Sequence, residues 1–229
     1  LNIIIVTLKE HNINNFYKLK ELYKAHKFYL ITNKDNLTLK NIAKINPDYI
    51  FFPHWSFYIP QEIYNNYQCI IFHLGNLPFG RGGSPLQNLI IRGIYKSKIC
   101  ALKASATLDG GEIYLKHDIS FKNSNAQKIY ERISKIIFFK LIPKILRTKI
   151  TPKKQKGKVV VFKRRTKDQS NINILKNPNL IKIYDFIRML DAVDYPKAFL
   201  EINNIKIYFQ NAKKSHNQVK AEVVFYEKE

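Results

Sequence analysis

Two short stretches of the chain hold residue types that can do acid–base chemistry from fixed places. The first is HLGNLPFGRGGSP, residues 73–85, which opens on His73 directly after the apolar run CIIF. Four glycines and two prolines within it set an unusual backbone path and let a ligand come close. The second is LDGGEIY, residues 108–114, in which Asp109 leads a Gly-Gly bend, a strong hairpin signal. Alone, His73 fits a structural strand–helix turn and Asp109 an ordinary hairpin. Together they offer an imidazole and a carboxylate at the strand ends of one sheet. The carboxylate can orient the ring and favour its protonated form. The ring can then give a hydrogen bond or a proton to developing negative charge.

The elements that must position these groups follow from periodicity. Residues 2–8 (NIIIVTL) form a continuous β-branched run, as in a buried parallel strand. Residues 12–24 carry apolar side chains at helical spacing, and KFYLIT (27–32) reads as the next strand. A helix over 36–45 stops before Pro47, and strands follow at YIFF (49–52) and CIIF (69–72). Strands alternating with helices predict an α/β fold: an open, mostly parallel Rossmann-like sheet with flanking helices. Ligands of such sheets lie beyond the carboxyl ends of the strands. That rule selects PHWS (53–56) and the His73 loop. Ser84 and Pro85 are expected to open a helix. KICALKASA and EIYLKHDIS form a hairpin, and a long helix runs over 124–146. A basic segment near residue 150 marks a boundary. Residues 1–150 are expected to form the catalytic domain, and 151–229 a small C-terminal α+β module with a helix at 180–190 and three strands.

The formal net charge of +22 fits either an anionic partner or a solvated, lysine-rich surface, and charge alone leaves both open. Between residues 116 and 165, however, 16 Lys/Arg stand against Asp118 and Glu131. This strip is expected to face an anion, either a nucleotide diphosphate or an RNA backbone. Cys69 and Cys100 sit in apolar runs and read as buried, reduced thiols, and no Cys/His spacing fits zinc. The opening LNIIIVTLKEH is too short and lacks the basic flank of a signal peptide, and no stretch approaches the roughly 20 apolar residues of a membrane span. A soluble cytoplasmic protein with no membrane partner is expected. Its start is expected to be altered or processed, since residue 1 is Leu.

FHLGNLPFGRGGSPLQNLI and LDGGEIYLK resemble the folate-dependent formyltransferase family, which includes methionyl-tRNA formyltransferase and the nucleotide-sugar N-formyltransferases. The family pattern is a strand ending in Asn-x-His, a Leu-Pro-x-x-Arg-Gly loop with a nearby Pro, and a later Leu-Asp-x-Gly-[Asp/Glu]-Ile turn. The likeness continues through VVVFKRRTKDQSNI. It resumes in FIRMLDAVDYPKAFLEINNIKIYFQNAK, which is similar to the family's C-terminal module, so it covers most of residues 45–215 in order. GRGGSPLQNLI looks most like the sugar-modifying branch tied to flagellar or surface-sugar synthesis, including pseudaminic-type pathways. One departure matters: Ile71 stands where the family has the Asn that helps hold the formyl oxygen. A lost donor of that kind costs about 2.7–4 kcal/mol. His54, or else Asn76, is expected to replace it.

The resemblance implies N10-formyltetrahydrofolate as formyl donor, no metal, and a primary amine as acceptor. It implies that His73 stabilises the oxyanion while Asp109 positions His73 and receives the amine's proton. The matching pterin walls are Ser56, Phe57, Tyr58 and Ile59 on one side and Leu108 on the other, with Arg81 as a phosphate or folate contact. Phe79, Gly82 and Gly83 would border the acceptor. Lys163, Arg164 and Arg165 could grip a diphosphate, and Arg188 and Tyr195 line the sugar-nucleotide site. The expected acceptor is a UDP- or dTDP-linked amino-deoxysugar. Methionyl-tRNA is the alternative, disfavoured by the roughly 80 residues after position 150, and an inactive basic binding protein of the same fold is a third. Two copies are expected to pair, as small sugar-modifying members tend to do.

Overall fold

The computed structural model describes residues 1–228. Strand β1 (Asn2–Val6) holds Ile3, Ile4, Ile5 and Val6 fully out of solvent, as a strand covered on both faces must. Helix α1 (Glu10–Leu22) turns Asn12, Asn15, Phe16 and Leu19 inward at helical spacing. Strand β2 (Lys27–Ile31), helix α2 (Leu39–Ile45), strand β3 (Tyr49–Pro53), helix α3 (Gln61–Asn66) and strand β4 (Cys69–Leu74) follow. The Thr38 side chain caps α2 by accepting from the Asn41 amide, and Asn46 ends it in the left-handed region at φ 48°.

The glycine-rich loop supplies strand β5 (Phe79–Gly82) and helix α4 (Pro85–Ile90), and the hairpin supplies β6 (Lys96–Lys103) and β7 (Ile113–Ser120). The long helix expected over 124–146 forms in three pieces: α5 (Ala126–Ile136), a π turn at Ile137–Leu141, and α6 (Ile142–Arg147). Pro143, near the start of α6, lacks the amide that would continue the regular ladder, and the wider turn precedes it. The chain closes with β8 (Val160–Phe162), α7 (Leu180–Leu190), β9 (Ala198–Ile202), β10 (Ile205–Lys214) and β11 (Val219–Glu227).

The main sheet has the order β2-β1-β3-β4-β6-β7. The pairs β1–β2, β1–β3 and β3–β4 are parallel, and β4–β6 is antiparallel. This is a Rossmann-like sheet with flanking helices, parallel from β2 to β4 as the periodicity predicts and made mixed by the antiparallel β4–β6 pair. Strands β9, β10 and β11 make a separate antiparallel sheet, and β5 pairs with β8. Ile4, Val6, Ile50, Phe52 and Cys69 share one apolar cluster, against which Ile71 packs. Side chains alternate along a strand, so His73 leaves β4 on the face of Cys69 and Ile71.

Contacts divide the chain into two compact units. One comprises Leu1–Arg81, Ser97–Ile119 and Glu131–Val161; the other comprises Gly82–Lys96, Ser120–Tyr130 and Phe162 onward. Among the described residues, no helix is long and apolar enough to cross a membrane.

Candidate active site

His73 is the fifth residue of β4, opposite Cys100 of β6, and is 8% exposed. Asp109 is equally buried and lies in the bend between β6 and β7. The two meet: His73 Nδ1 is 3.4 Å from Asp109 Oδ2. The other ring nitrogen, Nε2, lies 2.7 Å from the Gly80 carbonyl oxygen. That oxygen can only accept, so Nε2 carries the hydrogen of this bond. An imidazole between two oxygen acceptors offers N–H to both only when it holds a second proton.

The Asp109 bend has a demanding backbone. Asp109 itself has φ 49°, a left-handed conformation costing an ordinary residue roughly 1–2 kcal/mol and least resisted by Asn and Asp. A Cβ on Gly111 would lie 1.8 Å from the Lys103 carbonyl oxygen, so the bend closes against β6 only with glycine there.

The two expected replacements for the family Asn differ in their surroundings. Asn76 is exposed and accepts from Lys116 Nζ at 2.9 Å. His54 follows Pro53, which makes the last β3–β4 pair, with Phe72. Its φ is 53°, and its ring lies 6.1 Å from that of His11. Burial, with the charge of Lys9 and the neighbouring His11, lowers the His54 pKa to about 3, so the ring is neutral at ordinary pH. Ile71 packs against the Leu77, Cys100 and Leu102 cluster as well as the Ile50 and Phe52 cluster, giving this stretch an apolar lining.

Of the expected pterin walls, Ser56 is exposed, Phe57 is 46% exposed, Tyr58 88% and Leu108 55%, while Ile59 packs on the core. Phe57 is braced by Trp55, with ring centroids 5.3 Å apart. Arg81 gives Nη2 (2.8 Å) and Nε (3.2 Å) to Gln155 Oε1, which directs much of its guanidinium at a protein group. Phe79 is half-buried on β5. Cys69 and Cys100 are free, buried thiols, and burial pushes Cys69 up to about 12.

In the second unit, Ser84 is a hub at φ 47°. Its Oγ lies 3.1 Å from the Arg165 amide and 3.2 Å from Tyr195 Oη. Gly83 donates to Phe162 O at 2.9 Å, and a Cβ there would meet Arg164 at 2.5 Å, whereas the backbone of Gly82 bends at φ 94°. Asn88 holds this turn by donating to the carbonyls of Gly83, Ser84 and Lys163. Lys163 and Arg164 are exposed, and the Arg165 guanidinium lies over the Phe186 ring. Arg188 differs from the expected nucleotide contact. It is 2% exposed, pairs with Asp185 at 2.7 Å, and donates to the carbonyls of Phe121 (2.6 Å) and Ser124 (2.8 Å). Its donors are engaged inside the protein because it buttresses α7.

Sequence reasoning missed Gln155, Asn88 and the Gly80 carbonyl. Gln155 sits in the polar segment TPKKQKGK with no local signal, and Asn88 reads as one more helix residue.

The family described as methionyl-tRNA formyltransferase, C-terminal domain, matches residues 167–226. A solved methionyl-tRNA formyltransferase from Clostridium thermocellum is 46% identical, with a TM-score of 0.95 over 99% of both chains. A curated methionyl-tRNA formyltransferase of Campylobacter jejuni is 27% identical over 76% of this chain and 55% of its own length. The chain thus spans about half the length or less of the curated relatives it matches. A sugar N-formyltransferase from Shewanella shares the fold, with a TM-score of 0.74 at 18% identity over 94% of this chain and 98% of that one. With the His73 and Asp109 motifs in place and a relative matched end to end, the chain belongs to the formyltransferase family, whose members take formyl groups from N10-formyltetrahydrofolate.

Proposed function

We propose that this chain transfers the formyl group of N10-formyltetrahydrofolate to the primary amine of a nucleotide-linked amino-deoxysugar, of the UDP- or dTDP-4-amino-4,6-dideoxyhexose type. The observation that carries the transfer step is the buried His73–Asp109 contact of 3.4 Å at the end of β4. The formyl carbon is an amide-like electrophile. The neutral amine attacks it, a C–N bond forms, and negative charge develops on the formyl oxygen. His73 donates an N–H to that oxygen, which replaces Gly80 O as the acceptor of the Nε2 hydrogen. Asp109 holds the ring through Nδ1 and takes the amine's proton, directly or through water. The intermediate then collapses, breaking its bond to N10 of the folate, which leaves as tetrahydrofolate with a proton. His54, held neutral one residue past the end of β3, is the stand-in for the Asn missing at Ile71. Phe57, Tyr58, Ile59 and Leu108, with Ser56, border the pterin.

The exposed side chains of Lys163 and Arg164, beside the turn that Ser84 and Tyr195 hold, support a nucleotide diphosphate on the acceptor, since Arg forks match phosphate oxygens. Val223, Val224, Phe225 and Tyr226 are exposed on β11, at an edge of its sheet, which supports pairing of two copies there. Both co-substrates are solutes of the cytoplasm, where this reading places the chain.

A second reading, methionyl-tRNA as acceptor, is favoured by the Clostridium relative of matching length and by the exposed basic side chains of residues 144–158, a stretch without Asp or Glu. Purified protein is incubated with the formyl donor and either a panel of nucleotide-linked amino sugars or charged initiator tRNA. The proposal expects tetrahydrofolate release with one or two sugars only. Turnover on tRNA, with affinity falling steeply as salt rises, would select the second reading.

A further inference from the structure

We infer that Gln155 is a positioning residue for formyl transfer, holding the Asp109 bend and the glycine-rich loop in one frame; this rests on the formyl-transfer reading of the same site. The carboxamide is fully used. Its oxygen accepts from Arg81 Nη2 at 2.8 Å and Nε at 3.2 Å. Its nitrogen donates to the Asp109 carbonyl at 2.7 Å and the Gly111 carbonyl at 2.9 Å. Two acceptor sites and two donor hydrogens are all that such a group has. Because the Arg81 fork can only donate, it fixes which end of the amide faces it. The NH2 end is thereby turned onto the bend.

The contacts close a ring. His73 Nε2 meets Gly80 O, Gly80 is bonded to Arg81, Arg81 grips Gln155, Gln155 grips the backbone of Asp109, and Asp109 Oδ2 returns to His73 Nδ1. Gln155 itself is anchored. Lys153, two residues earlier, exchanges both backbone hydrogen bonds with Ile113 at the start of β7, at 2.8 and 3.0 Å. The side chain is thus presented from a backbone fixed to the same hairpin that carries Asp109. The bend needs such a hold, because Asp109 keeps a left-handed backbone while its carboxylate must stay within reach of a ring borne by a different strand. A displacement of about 1 Å in such a pair can cost on the order of a hundredfold in rate.

Two substitutions test this. Gln155→Glu keeps the size and still accepts from Arg81, but sets a carboxylate oxygen against two carbonyls. Gln155→Leu removes both halves. In the full chain, both variants should lower kcat at least tenfold while KM for donor and acceptor stays within twofold. Residue-resolved amide exchange, which needs no turnover, should show Gly110, whose amide bonds Thr107 O, exchanging at least tenfold faster in both variants, with β4 amides unchanged. Wild-type kcat in either variant, or a lower melting temperature alone with unchanged kcat and unchanged Gly110 exchange, would overturn the inference. If the wild-type chain transfers no formyl group, the transfer reading fails, and the exchange result alone decides whether Gln155 holds the bend.

Discussion

At the scale of single residues, the candidate site is a histidine on β4 and an aspartate in the β6–β7 bend, and just past the end of β3 stands a second histidine whose chemistry is set by burial. His54 is held neutral, its pKa lowered from 6.5 to about 3 by burial first and by Lys9 and His11 next. The unfolded chain binds a proton at this ring well before the folded chain does. Stability associated with His54 is therefore complete above pH 6.5 and is lost as pH falls from there toward 3, by up to about 1.4 kcal/mol per pH unit. His11, also lowered chiefly by burial, adds in the same direction. Urea unfolding of a His54→Asn variant, which tolerates the left-handed backbone, should show a flatter fall in midpoint between pH 6.5 and 4 than the natural chain. Equal slopes would mean that His54 is protonated in the folded state. His73 and Asp109 were legible because the first follows an apolar strand and the second leads a glycine bend. Gln155 was not, because its partners are 44 to 74 residues away and its own stretch is uniformly polar.

At the scale of elements, apolar runs read well and charged residues read poorly. The first four strands appear where NIIIVTL, KFYLIT, YIFF and CIIF predict them; β1 and β2 stop short of the predicted ends, while β4 extends two residues further, so that His73 is a strand residue rather than a loop residue. Periodicity could not show the π turn in the long helix, where a single proline changes the ladder. Arg188 shows the other limit. A sequence displays its charge but not that Asp185, Phe121 and Ser124 surround it. Removing one partner of a buried ion pair costs about 3–5 kcal/mol, because the other is left uncompensated. Arg188→Ala should lower stability on that scale, read by denaturant midpoint, while the KM for the acceptor stays unchanged at low temperature. Unchanged stability with a raised KM would return Arg188 to the nucleotide contact that the sequence predicts.

At the scale of the whole molecule, the fold follows from ordered blocks: a βα half, an Asp-Gly-Gly bend, then a helix and three strands. Their order was legible because each block carries its own punctuation in Gly, Pro and Asp. The acceptor was not, because a net charge of +22 serves a diphosphate and an RNA backbone alike. The central claim is that one buried imidazole–carboxylate pair moves a formyl carbon between two bound molecules. It is tested most directly by following a 13C-labelled formyl group from donor to acceptor amine under single-turnover conditions in the natural chain, His73→Ala and Asp109→Asn. The account predicts label on the acceptor amide in the natural chain and a rate at least about a hundredfold lower in each variant. Transfer at the natural rate in either variant would contradict it.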